Sequence, residues 1–289
     1  MEVDVVIATK NQAQSLEKLL KQVVHQIPFR NLIIVYGSSR DNTKSIAEKY
    51  TDKVFWDEDK GLGAARALGI EKATSEIVVM IDSDVILTNE WYNKLINHFK
   101  DPKVAAVNGT CIYGYGCKPL ESLWEHIRKK ATVNVGCHNT MFRRKAVLQV
   151  GNFNKTIKGA GEDYELYHRL LAAGYKWLWV REATVYHPMS MFEFLEHVRW
   201  WTQGCAHKKE LLDQISTTSF LRVYCRLAYS IPASFWEAVK LASLVHPALI
   251  FYYPLINLTQ VLEDLRMLAK AYNDFYPFSR KNNFNGHNP

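Results

Sequence analysis

Disulfide spacing, thiolate metal spacing, internal repeats and low-complexity tracts are all missing from this chain. Its 5 cysteines (Cys111, Cys117, Cys137, Cys205 and Cys225) are an odd count with no C-x-x-C pair. That excludes a stapled secreted scaffold and a thiolate zinc site as first readings, and favours reduced thiols. No charged-then-apolar leader opens the sequence, so a cytoplasmic location is expected. Neither sign of charge dominates: 36 Lys and Arg against 29 Asp and Glu leave +7. The basic residues are scattered and no recognition motif appears, which argues against nucleic acid, while the surplus suits phosphorylated ligands or an anionic membrane surface. Uninterrupted apolar runs are short. Residues 241–262 lack Asp, Glu, Lys and Arg and pass the length test for a membrane span, but His246, Pro247, Pro254 and Asn257 interrupt them. Prolines and a polar amide at mid-depth are costly in lipid, so a helical hairpin, buried or lying in the membrane interface, is expected there. What the chain does have is core: 289 residues with 48% hydrophobic and 22% charged side chains suffice for one large domain with an appendage.

The local pattern alternates short apolar blocks with helical periodicity. Strands are expected at 3–8, 32–35, 54–56 and 77–81, with helices over 16–24, after Asp41 through Ile46, Ala47 and Tyr50, and over 63–73. Further on, the spacing predicts helices over 91–99, 120–130, from Gly161 to Gly174 and over 192–212. It also predicts strands at 104–110, near Val133, at 177–180 and at 184–186, with a Gly- and Tyr-rich loop at 113–116. The fold class is therefore α/β, a mostly parallel sheet flanked by helices. The expected division is a catalytic domain over 1–215, a helical and membrane-interfacial region over 216–277, and a mobile tail over 278–289.

Asp82-Ser83-Asp84 follows the apolar strand at 77–81 directly. Two carboxylates one residue apart, at the carboxyl end of a parallel strand, sit where open α/β sheets bind ligands. Hard oxygen ligands there suit Mg²⁺ or Mn²⁺ on a diphosphate, although an isolated D-x-D also serves as a turn cap. The small-residue stretch from Gly61 to Ile70 contains Arg66 and places backbone N–H groups at a loop-to-helix junction, a weak phosphate-binding signal that only corroborates the acids. Gly161-Glu162-Asp163 opens a helix, where acids satisfy the helix dipole or serve as a general base. His187 ends a short strand and is read either as a structural histidine or as a metal ligand.

Taken in order, Ala8-Thr9-Lys10-Asn11, the stretch from Val35 to Asp41, Gly61 to Ile70, Asp82-Ser83-Asp84, Gly151-Asn152-Phe153, Gly161-Glu162-Asp163 and Val185-Tyr186-His187 resemble the family 2 glycosyltransferases over roughly residues 3–190. The resemblance implies the GT-A fold, a Rossmann-like nucleotide-sugar-binding domain. It implies a nucleotide-diphosphate sugar donor, UDP- or GDP-linked, and direct displacement with inversion. On it, Thr9, Asn11, Arg66, Asp82 and Ser83 bind the nucleotide sugar, with Arg66 facing the base or diphosphate. Asp84, Asp82 and His187 hold Mn²⁺ or Mg²⁺, and Asp163, backed by Glu162, is the base. The family's usual acid is replaced by Tyr36, which is expected to stack on the base instead. Glu196-His197-Val198-Arg199-Trp200 departs from Q-x-x-R-W, the acceptor-side motif of polymerising members, so Arg199 and Trp200 are expected on the acceptor side of a single-sugar transfer. The aromatic and basic residues of 192–212, with Arg222, Arg226 and Lys240, suit an interfacial helix and a lipid-linked acceptor such as a polyprenyl phosphate, or else an acceptor glycan. Two other readings stand beside this one. A sugar-phosphate nucleotidyltransferase would carry a Gly-rich basic loop after the first strand, and a non-catalytic carbohydrate- or lipid-binding module would need no base.

Overall fold

The computed structural model describes residues 2–204 and 220–275. Val3–Thr9 (β1) is almost wholly buried, as a largely apolar strand covered on both faces is, with Asp4 the one buried charge in it. Its alternating side chains feed two cores. Val3, Val5 and Ile7 join Leu16, Leu19, Leu20 and Val23 of Ala13–Gln26 (α1) on one face. Val6 joins Ala65, Ala67 and Ile70 of Leu62–Lys72 (α3) on the other. Here α3 lies so close that a Cβ on Gly69 would collide with a Val6 methyl.

Phe29–Tyr36 (β2), Val54–Trp56 (β3) and Ile77–Ile81 (β4) complete a parallel half-sheet with β1. Beyond β4 the sheet becomes mixed. The full order is β3-β2-β1-β4-β7-β6-β8-β5, in which Asn139–Arg143 (β7) runs antiparallel to both β4 and Val104–Tyr115 (β6). Lys176–Pro188 (β8) is parallel to β6 and carries Ile86–Leu87 (β5) at the edge. The short helix Thr43–Ala47 (α2) stops before Tyr50. Asp41 binds at its start, accepting from Thr43 N at 3.1 Å, and its other carboxylate oxygen accepts from Ala13 N at 3.0 Å, so one side chain fixes two helix starts.

Several elements differ from the pattern-based expectation. No strand forms near Val133, which is 56% exposed in an irregular connection; the strand begins at Asn139, where pairing with β4 on one side and β6 on the other stabilises a polar sequence. The expected loop at 113–116 is strand as far as Tyr115, because β8 pairs alongside it. The two short strands at 177–180 and 184–186 are one, β8, with register shifts absorbing the irregularity. Trp91–Ile96 (α4) continues only as a 3-10 turn, Asn97–Lys100, and Arg144–Gln149 (α6) is an additional helix.

Lys118–Lys130 (α5) and Glu162–Ala172 (α7) form as expected, with acids in their first turns. Met191–Thr202 (α8) starts at a capping box between Ser190 and Glu193. This helix ends at Thr202, with a turn at 203–204, short of the expected 212; residues 205–212, the Arg222 side chain, the boundary at 215 and the tail from 278 lie outside what is described. Phe220–Leu244 (α9) and Leu249–Phe275 (α10) are the hairpin. Its tip rests on α5, with Leu241 and Leu249 against Leu123. Among the described residues no helix is long and apolar enough to cross a membrane.

Candidate active site

The carboxyl ends of β1, β2, β3 and β4 face a cleft of about 840 Å³, closed on its far side by the start of α7, the end of β8 and α8. The fold gathers Thr9, Arg66, Asp82, Ser83, Asp84, Glu162, Asp163, His187 and Trp200 onto its walls, from strand ends and from helices α3, α7 and α8.

Asp84 and His187 meet there, Oδ1 to Nε2 at 3.3 Å. Burial opposes charge on both. The bond between them outweighs it, holding the Asp84 carboxyl below its ordinary range and the His187 imidazole above its own. An ionised carboxylate oxygen beside an imidazole nitrogen, both open to the cleft, is a donor set that fits Mn²⁺ or Mg²⁺. Asp82 is tied on one side, its Oδ1 accepting from Arg66 Nη2 at 2.7 Å, which leaves the second oxygen for a ligand.

Arg66 is the hinge of the arrangement. Only 3% exposed, it binds Asp82 with one guanidinium nitrogen and Glu162, itself 1% exposed, with the other. The acids after β4 and those opening α7 are thus tied together through one buried cation. Arg66 also lines the cleft, and its Nε has no hydrogen-bond partner among the described residues. Glu162 backs Asp163 only through Arg66, and its Oε2 has no partner among the described residues. Asp163 accepts from the Tyr164 backbone N–H at 2.7 Å, yet burial dominates and pushes its carboxyl up, the direction a general base needs. Cys137, Glu162 and Asp163 bring ligand atoms within 4.8 Å of one another, but the Arg66 guanidinium already supplies the cation there.

Three expected site residues do not line the cleft. Asn11 stitches the loop after β1 to the turn after β2, its Oδ1 accepting from Arg40 N at 2.8 Å and its own N–H donating to Ser39 Oγ. Tyr36 lies beneath Lys44, whose Nζ is 5.7 Å from the ring centroid. Asp57 and Asp59 hold that end of the cleft instead, with the Asp59 carboxyl drawn down to about 2 by hydrogen bonds from Ser38 and Lys10. Arg199 faces outward and pairs with Glu196.

An aromatic wall surrounds the Asp84–His187 pair. Tyr113 stacks on His187 at 5.1 Å between centroids and meets His138, His197 and Trp201 edge-on or tilted. These residues come from β6, β7's approach, β8 and α8, so no linear motif joins them. Burial drives the His138 and His197 imidazoles down to about 4, so both are neutral at ordinary pH.

Solved structures with similar backbones include a mannosyltransferase from Pyrobaculum calidifontis in complex with GDP-Man and Mn²⁺. It has a TM-score of 0.60 and 17% identity, covering 96% of this chain and 88% of that one. Another is a glucosyl-3-phosphoglycerate synthase from Mycobacterium tuberculosis in complex with Mn²⁺, UDP-glucose and phosphoglyceric acid, with a TM-score of 0.52 and 17% identity, covering 71% and 80%. The fold is GT-A. Among characterised relatives, a poly-beta-1,6-N-acetyl-D-glucosamine synthase of Staphylococcus aureus is 27% identical over 269 residues, 81% of this chain. This chain spans 62% of that relative's length. Glycosyltransferase AglE of Haloferax volcanii is 26% identical over 207 residues, covering 66% of this chain and 68% of its own. Residues 4–156, more than half of the chain and the part that carries Arg66, Asp82 and Asp84, match the profile of glycosyl transferase family 2, and the chain belongs to that family.

Proposed function

We propose that this protein transfers one sugar from a nucleotide-diphosphate sugar, UDP- or GDP-linked, to a hydroxyl or phosphate acceptor, with inversion at the anomeric carbon. The observation that carries the reading is that one cleft is lined by the Asp84–His187 pair and by Asp163. Asp84 and His187, with the free oxygen of Asp82, would hold Mn²⁺ or Mg²⁺. When bound, the ion neutralises charge that develops on the departing diphosphate. Asp163 accepts the acceptor's proton as its oxygen attacks from the side opposite the leaving group, and burial, which raises its carboxyl, favours that role. Arg66 holds Glu162 and Asp82 at a fixed separation, which sets the distance between the two ends of the displacement. Trp200, on the cleft wall, offers an apolar face to the acceptor, whereas Glu196 and Arg199 are paired with each other away from it. That arrangement favours a single transfer over processive polymerisation.

The α9–α10 hairpin supports a lipid-linked acceptor and attachment to an anionic surface on the cytoplasmic side. It leaves Tyr229, Trp236, Leu244, Phe251, Leu255 and Leu262 exposed, with Arg226, Lys240 and Arg266 also outside. The test is release of nucleoside diphosphate from UDP- and GDP-sugars with Mn²⁺ present. Asp84→Ala should abolish it, and Asp163→Asn should keep donor binding while removing transfer. Parent-rate transfer by the Asn variant would reassign the base.

A further inference from the structure

His138 belongs to none of the motifs above, yet it sits between the two acidic ends of the cleft. Its backbone carbonyl accepts from Asp82 N at 3.2 Å, and the preceding residue, Cys137, lies beside Glu162 and Asp163. The ring is 8% exposed and lines the cleft. Nδ1 lies 3.4 Å from the Tyr113 hydroxyl, while Nε2 has no hydrogen-bond partner among the described residues. A buried polar atom left without a partner is costly, and one on a ligand cavity is satisfied when the ligand arrives. The seat for the ring is built: a Cβ at Gly136 would collide with His138 Cε1, so only glycine lets the imidazole lie where it does.

We infer that His138 Nε2 hydrogen-bonds a hydroxyl of the transferred sugar and is a specificity-determining contact of this cleft. The inference rests on the proposed sugar-nucleotide reading. A sugar whose anomeric carbon is attacked from the Asp163 side while its diphosphate leaves toward Asp84 must lie between those residues, in the cleft that His138 lines. A site that pairs a buried polar group with a substrate hydroxyl discriminates strongly against sugars lacking that hydroxyl.

The experiment is calorimetric titration, with Mn²⁺, of UDP, GDP, UDP-glucose, UDP-N-acetylglucosamine and GDP-mannose into the parent protein, His138→Phe, His138→Gln and Gly136→Ala. Circular dichroism and melting temperature monitor folding. With His138→Phe, affinity for the preferred nucleoside diphosphate should stay within about twofold of the parent, while the sugar nucleotide weakens roughly 5- to 50-fold, the worth of one buried hydrogen bond. His138→Gln, which restores a polar group at that reach, should recover most of the loss. Gly136→Ala, which displaces the ring without removing it, should reproduce the loss. Equal weakening of diphosphate and sugar nucleotide, or no weakening of either, overturns the inference. A parent protein that binds none of the five ligands instead overturns the sugar-nucleotide reading on which it rests.

Discussion

Replacing Arg66 with Met removes the cation that two carboxylates share while keeping a long apolar stem in the same space. Glu162 then retains a charge at 1% exposure without the Arg66 counter-ion, and the Cys137 thiol and Asp163 carboxyl lie nearby. Breaking a buried ion pair from one side costs about 3–5 kcal/mol, because the stranded charge keeps its desolvation penalty. The Asp82 arm adds little to this figure, since its side chain is 33% exposed and water replaces the lost partner. Changing Glu162→Gln in the same protein discharges the stranded group, so the double variant should be more stable than Arg66→Met alone by about 2 kcal/mol. Urea unfolding followed by far-ultraviolet circular dichroism at neutral pH measures all four corners of the cycle, and melting temperature ranks any corner too unstable to extrapolate. An Arg66→Met variant within about 1 kcal/mol of the parent would refute the argument. So would additive single effects, because then Arg66 and Glu162 are not coupled.

Other predictions concern the frame and the surface. Asp4 is buried in β1 and accepts from Ser75 N and Oγ, from Thr74 N and from Asn31 Nδ2, so Asp4→Ala should cost about 2–4 kcal/mol by orphaning buried donors; a change under about 0.5 kcal/mol would contradict this. Burial raises the Asp4 carboxyl, but those bonds prevail and lower it from the ordinary 3.8. Its contribution is therefore present above about pH 3.8 and declines as pH falls through the lowered value, so acid unfolding of Asp4→Asn should show a weaker pH dependence than the parent in that range. Gly69→Ala should destabilise by about 1–3 kcal/mol through collision with Val6, read as a lower urea midpoint, and an unchanged midpoint would mean that α3 can retreat from β1. Trp236→Ser with Phe251→Ser, at positions 69% and 78% exposed, should leave stability nearly unchanged and reduce co-sedimentation with phosphatidylglycerol vesicles by at least about tenfold. Equal sedimentation of parent and variant would remove the hairpin from membrane attachment.

Much of the fold can be read along the chain because its elements are locally specified. The buried runs of β1, β2 and β4 are largely apolar, α1 has a clear helical period, and the acids of Asp82-Ser83-Asp84 and Gly161-Glu162-Asp163 sit at element ends where chain order alone suggests a site. β7 escapes such a reading because Asn139–Arg143 has little strand character of its own and is held by two neighbours distant in sequence. β8 reads as two strands because its register with β6 slips partway, a property of the pair that neither sequence carries.

The same division runs through the cleft. Chain order settles which residue types are available: paired acids after a strand, acids at a helix start, a histidine at a strand end. Folding in three dimensions assigns their partners, turning Arg66 inward to bridge Asp82 and Glu162, setting His187 against Asp84, and bringing His138 between the two acidic ends. Burial and electrostatic pairing depend on atoms that meet in space from positions far apart in the chain, and no local spacing encodes those encounters.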